Sequence, residues 1–265
     1  MYRFLLRPKW IAFTLGIVLL IVTMINLGLW QLRRLDERRE FNAVVEARYD
    51  APPRLLDAVL TPGTDPQDVD WLPVTAVGTY RAEETVRIVN RSQNGFAGDN
   101  IVVPLDLAEG RVLLVNRGFV PLGEDVPPPP SGEVEVTGRL RPSQQRRFGQ
   151  LSDRGEGIIT EAQRVDIPRL QQQVDGDLVD MYIDAYASNP PDSPVLEPVI
   201  KPDLSEGSHL SYAVQWFIFA ICAAVGWVLA VRHSAAKRRL DAERDQPPSE
   251  RQAALNRSAI WTIDR

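Results

Sequence analysis

A chain of 265 residues with 30 basic and 35 acidic side chains, a net charge of −5 and 44% hydrophobic residues carries no electrostatic footprint for nucleic acid. Its one cysteine is Cys222 and its two histidines are His209 and His233. Residues 31 to 208 therefore cannot assemble a Ser-His-Asp triad, a cysteine nucleophile, a Cys/His zinc site or a disulfide.

After a short N-terminus (1–9), Trp10 to Trp30 is 21 residues without a charge, roughly 31 Å as a helix, which matches the core of a bilayer. The run is longer than the apolar region of a cleaved signal peptide and no A-x-A site follows it, so a membrane anchor over 10–32 is expected. Arg3, Arg7 and Lys9 precede this span, but Arg33, Arg34, Arg38 and Arg39 follow it, so it does not set the orientation alone. The composition stays helical to about Tyr49, where Pro52 and Pro53 stop it. Residues 50 to 70 read as a Pro, Gly and Asp-rich loop with one helical turn; its cluster Asp65, Asp68 and Asp70 lacks the spacing of a calcium loop.

From Trp71 the pattern turns to short Val, Ile, Leu, Thr and Tyr-rich segments. WLPVTAVGTYRAE and TVRIVNRS form a predicted strand pair, and NIVVPLDL and RVLLVNRGFVPL a second one turning at Glu109-Gly110. EVEVTGRLR follows a four-proline spacer, then a short helix (IPRLQQQV), a strand (LVDMYIDAYA) and a last strand (VLEPVI). Residues 33–208 are thus expected to form an antiparallel β-rich domain, a small barrel or sandwich, in an α+β membrane protein.

The second apolar run, Tyr212 to Val231, places a second span over 209–231. Lys201 precedes it and Arg232, Lys237, Arg238 and Arg239 follow, which puts both termini in the cytoplasm and the domain outside or in the periplasm. The tail, 232–265, reads as a short helix followed by disorder.

Polar aromatic clusters stand at the outer mouths of both spans. The first holds Gly28, Trp30, Gln31, Arg33 and Arg34; the second holds His209, Tyr212, Gln215, Trp216 and Phe217. His209, Tyr212, Trp216 and Phe219 fall at i, i+3, i+7 and i+10, a single stripe on a helix. Trp30, Tyr212 and Arg33 also fit an interfacial belt, and His209 a solvated helix cap. The chemistry supports a sharper reading: a neutral imidazole ligates haem iron, aromatic rings pack on a porphyrin, and an outward arginine such as Arg34 pairs with propionates. With no second ligand in sight, His209 would be a handover site and not an electron-transfer centre. In the domain, the VNRGFVP block stands out for Arg117, Gly118 and Phe119, with a structural strand end as its plain alternative.

The motif G-x-W-Q-x-x-R (Gly28, Trp30, Gln31, Arg34), the VNRGFVP block, the G-E-V-x-V-x-G-x-x-R strand (Gly132 to Arg141) and H-L-x-Y-x-x-x-W (His209, Leu210, Tyr212, Trp216) occur in order between the two spans. Together they resemble the Surfeit locus family of cytochrome c oxidase assembly proteins. The resemblance implies two membrane helices carrying an outer β-rich domain, no enzymatic activity, and a role in maturing subunit I of the haem-copper oxidase through delivery or insertion of haem a. It places the family's haem-ligating histidine at His209, to which the chemical reading above adds Tyr212, Trp216 and Arg34 as haem contacts. Partner contacts with the oxidase are expected at Trp30, Gln31, Arg117, Gly118 and Phe119. Some bacterial members stay on the mature respiratory complex, so an accessory subunit is an equal expectation. Two other classes stay open at this point. One is a membrane-tethered sensor, weakened by a tail of about 34 residues, and the other is an outer-face hydrolase using carboxylates, for which no pairing is evident from spacing.

Overall fold

The computed structural model describes residues 2–244, so the expected disorder at the end of the tail lies outside the described residues. The described residues divide into two compact units, one comprising the chain up to Arg39 together with Ser205 to Arg244, the other Glu40–Leu204.

The first unit is built on two long helices, α1 (Pro8–Arg48, whose last turns belong to the second unit) and α5 (His209–Arg244). Both are long and apolar enough to cross a membrane, and their apolar stretches are largely exposed. The expected end of α1 near Tyr49 is borne out, because no helix breaker occurs before Pro52. The two helices run antiparallel: Phe4 clusters with Val231 and Ala235, Trp227 Nε1 donates to Thr14 Oγ1 (3.2 Å), and Gly28 meets Phe217. A Cβ on Gly28 would lie 2.9 Å from the Phe217 ring, so glycine allows this approach.

The second unit contains three single-turn helices, α2 (Leu56–Val59), α3 (Pro66–Val69) and α4 (Ile167–Leu170), around an eight-stranded sheet. Its strands are β1 (Arg54–Leu55), β2 (Pro73–Tyr80), β3 (Val86–Gln93), β4 (Phe96–Asp106), β5 (Arg111–Pro121), β6 (Glu133–Pro142), β7 (Glu161–Ala162) and β8 (Asp177–Asn189). Their order is β1-β2-β6-β8-β5-β4-β3-β7, and the sheet curls so that Thr79 and Tyr80 of β2 also pair with Asp106 and Leu105 of β4. A Cβ on Gly78 would sit 2.1 Å from the Asp106 carbonyl oxygen, so a glycine is required where these strands meet.

The expected antiparallel sheet is corrected to a mixed one. β5 runs parallel to β8, β1 to β2, and β3 to β7. The expected β2–β3 pair is also corrected: β3 pairs with β4 through the two-residue turn Asn94-Gly95, both at positive φ, which suits the twist of a tight hairpin. VLEPVI is not a strand, and only Glu197 bridges to Phe119. The turn at Glu109-Gly110 and the strands over EVEVTGRLR and LVDMYIDAYA stand as expected.

β4 and β5 are buried on both faces, and their side chains alternate between two cores. Ile101, Val103, Leu105, Leu113 and Val115 enter one core with Val136 and Ile183; Val102, Val112 and Leu114 enter the other with Ile88, Ile167 and Leu170.

Candidate functional site

In the first unit, His209 is the first residue of α5 and is half-buried. Its Nδ1 lies 2.8 Å from Gln31 Oε1 on α1. With the amide oxygen as acceptor, Nδ1 carries the proton and Nε2 keeps its lone pair. Ala213 and Ala220 are the buried positions below His209 on α5, which sets that side against α1. Trp216 is half-buried beside them and stacks edge-to-face on Phe219 at 6.0 Å, while Tyr212 and Gln215 are exposed.

On α1, Gln31 joins His209, but the other expected residues spread around the helix. Trp30 follows Gly28 by two positions, which turns it about 200° away at 3.6 residues per turn, and it is half-exposed. Arg34 Nη1 is held by Glu37 Oε2 at 2.7 Å, and both groups are exposed. An exposed pair of this kind contributes about 0–1 kcal/mol, so Arg34 exchanges partners easily. The structure therefore brings His209, Gln31 and Trp216 to one side of the hairpin and leaves Trp30 apart. At the same end, Arg39 forms a two-pronged pair with Glu206 (2.8 and 3.0 Å).

In the second unit, surface contact was expected of Arg117, Gly118 and Phe119, and the structure buries all three, so none offers a surface to a partner. The Arg117 guanidinium is fully enclosed. Its Nε and Nη2 donate to Asp192 (2.8 and 2.5 Å), and Nη1 and Nη2 donate to the carbonyls of Pro127 and Pro128 (2.9 and 3.0 Å). The proline run thus has a function: its carbonyls, having no neighbouring strand, are satisfied by this arginine. Gly118 sits at φ +140°, where an added Cβ would come 2.6 Å from the Glu197 carbonyl oxygen. That approach lets Phe119 N donate to Glu197 O (2.7 Å) and Glu197 N to Phe119 O (3.0 Å). The RGF block is a lock that holds residues 192–197 on the sheet.

A polar group that the sequence reading missed lies on β6 and β8. Arg141 Nη1 donates to Asp70 (2.9 Å), its Nε lies 3.7 Å from Asp184, and its guanidinium stacks 3.4 Å from the Trp71 ring. Asn116 donates to Asp184 (2.7 Å), and Gln144 to the Tyr182 hydroxyl (2.8 Å). Arg139 is sandwiched between Tyr49 (3.5 Å) and Tyr186 (4.4 Å) and donates to the Tyr49 carbonyl (2.9 Å). This group fastens residues 49 and 71 to the sheet. Burial pushes the Asp184 and Asp70 carboxyls above the usual carboxylate range, with Arg141 opposing in each case. The legible signal was the i, i+2 spacing of Arg139 and Arg141 on the polar face of an alternating strand. A cavity of about 250 Å³ opens beside Trp71, Asn116, Arg141, Tyr182 and Asp184. Among the described residues, no group of three or more His, Cys, Asp or Glu side chains could hold a metal ion.

The SURF1 family model matches residues 18–221. An uncharacterised SURF1-like protein of Mycobacterium tuberculosis is 29% identical over 231 residues, covering 84% of this chain and 83% of its own length. A SURF1-like protein of Rickettsia felis is 25% identical over 228 residues, covering 83% of this chain and 96% of its own. One from Monosiga brevicollis is 28% identical over 243 residues, covering 80% and 84%.

Proposed function

The chain belongs to the SURF1 family, and from that premise we propose that it is an assembly factor or accessory subunit of a haem-copper cytochrome c oxidase, and that His209 receives haem a on its way to subunit I. The observation that carries the haem assignment is the His209–Gln31 hydrogen bond, which fixes the ring and leaves Nε2 free at the start of α5. Metal-binding histidines are characteristically oriented by such a bond at the other ring nitrogen. The histidine thus fits an iron ligand, and Trp216 and Tyr212, on the same helix, fit an aromatic contact with a porphyrin. Arg34, held only by an exposed pair, would be the propionate partner. The group itself would supply the redox iron of the oxidase, whereas this chain's residues hold and release it. A single histidine without a second protein ligand suits release.

Two helices long and apolar enough to span, with Arg232, Lys237, Arg238 and Arg239 after the second, support a two-pass inner-membrane protein with both termini cytoplasmic and residues 40–204 outside. The role proposed is binding and positioning, not catalysis.

The test is a mild-detergent pulldown of tagged protein, with partners identified by mass spectrometry and the eluate scanned for haem a absorbance. Oxidase subunits are expected in the eluate; in cells lacking the oxidase, haem a absorbance should remain with the chain and be lost in His209→Ala. Gln31→Leu should weaken haem retention by about 10–100-fold, the usual effect of losing an orienting partner. Haem content unchanged in His209→Ala overturns the ligand assignment. Absence of oxidase subunits overturns the assembly role and returns a membrane-tethered sensor to the front.

A further inference from the structure

We propose that the arginine-lined cleft between β3 and the β6–β7 connection binds a phosphate-bearing anion. The cleft has a volume of about 1180 Å³ and takes in Arg91, Arg141, Arg146, Arg147 and Arg164, against one lining carboxylate, Asp65. In a chain whose acids outnumber its bases, residues 139–154 hold five arginines and a single acid, Asp153. This local excess runs against the overall charge.

The arginines differ in how they are satisfied. Arg141 is paired with Asp70 and Arg164 with Asp153. Arg91 donates only to neutral oxygens, those of Gln144 and Gln163, and Arg146 only to the Gln150 carbonyl. Among the described residues, no ion pair involves Arg91, Arg146 or Arg147. Asp65 is occupied as the cap of α3, accepting from Gln67 N at 2.9 Å. Three guanidinium groups thus face one cleft without a countercharge, and a forked guanidinium matches the oxygens of a phosphate.

The size and the rim narrow the class of ligand. A single phosphate would leave most of the cleft empty, so an organic body accompanies it. Beside the arginines on the same connection, Phe148 is fully exposed and Leu151 is 69% exposed. An apolar lip against a cationic wall fits the headgroup and glycerol region of an anionic phospholipid, or a soluble organic phosphate. The proposal is independent of the haem assignment at His209, since none of its residues lies in the first unit.

The test uses the full chain in a neutral detergent, titrated calorimetrically with pyrophosphate, with dioctanoyl phosphatidylglycerol and with dioctanoyl phosphatidylcholine. Binding of pyrophosphate or phosphatidylglycerol is expected, with phosphatidylcholine weaker. Arg146→Gln with Arg147→Gln should weaken that binding by about tenfold or more, the usual consequence of losing charge-assisted hydrogen bonds. Arg91→Gln should do the same from the opposite wall. Phosphatidylglycerol alone binding identifies a lipid source, and pyrophosphate alone a soluble one. Neither anion binding, or equal binding by variants whose melting temperatures match the parent, overturns the proposal.

Discussion

Replacing Arg117 by methionine separates a structural arginine from a partner-binding one. The side chain is fully buried and makes four hydrogen bonds, two to Asp192 and two to the Pro127 and Pro128 carbonyls. Methionine fills much of the volume and satisfies none of the acceptors. Breaking a buried ion pair from one side costs about 3–5 kcal/mol, because the remaining charge is left uncompensated. For a domain of this size that is a fall of about 6–20 °C in melting temperature. Arg117→Lys keeps the charge but cannot reach all four acceptors with one ammonium, so an intermediate loss is expected. The assay is thermal and urea denaturation of the full chain in mild detergent, followed by tryptophan fluorescence. The double variant with Asp192→Asn should lose less than the sum of the two single changes. A loss below about 1 kcal/mol, together with weaker recovery of oxidase subunits, would refute the lock and restore Arg117 as a contact residue.

Two further predictions follow from the second unit. Gly118→Ala forces a side chain into a glycine-only conformation against the Glu197 backbone and should destabilise by about 2–4 kcal/mol, read by the same denaturation assay; Gly123→Ala, also at positive φ but with open space around it, should cost less. The raised carboxyls of Asp70 and Asp184 carry a definite sign. Because the folded state holds their protons more tightly than the unfolded state, their contribution to stability is present near pH 4 and is lost as pH rises through the folded values. Melting temperatures measured from pH 4 to pH 8 should show this component falling with pH, and Asp184→Asn should flatten it. An unchanged pH profile in that variant would remove Asp184 as the cause.

Much of this chain is legible from neighbouring residues alone. The two apolar helices follow from uninterrupted runs of bilayer length, the end of α1 from Pro52 and Pro53, and the β4–β5 hairpin from two short, nearly continuous apolar runs on either side of Glu109-Gly110. The Asn94-Gly95 turn was equally readable in SQNGF, and it would have paired β3 with β4 in place of β2. These features are local because hydrophobicity, strand period and turn conformation act over a few residues. What only the tertiary structure decided were the long-range pairings: β8 lies parallel to β5 between strands distant in sequence, and VLEPVI contributes one bridge instead of a strand. The same holds for the polar side chains. Arg117 reads as a surface residue until Asp192, seventy-five positions away, encloses it, and Arg141, in the sequence no more than the end of a motif, is surrounded by Asp70, Trp71 and Asp184. Whether a charged residue is a contact or a lock depends on which distant groups the fold brings to it, because burial and pairing belong to the assembled core.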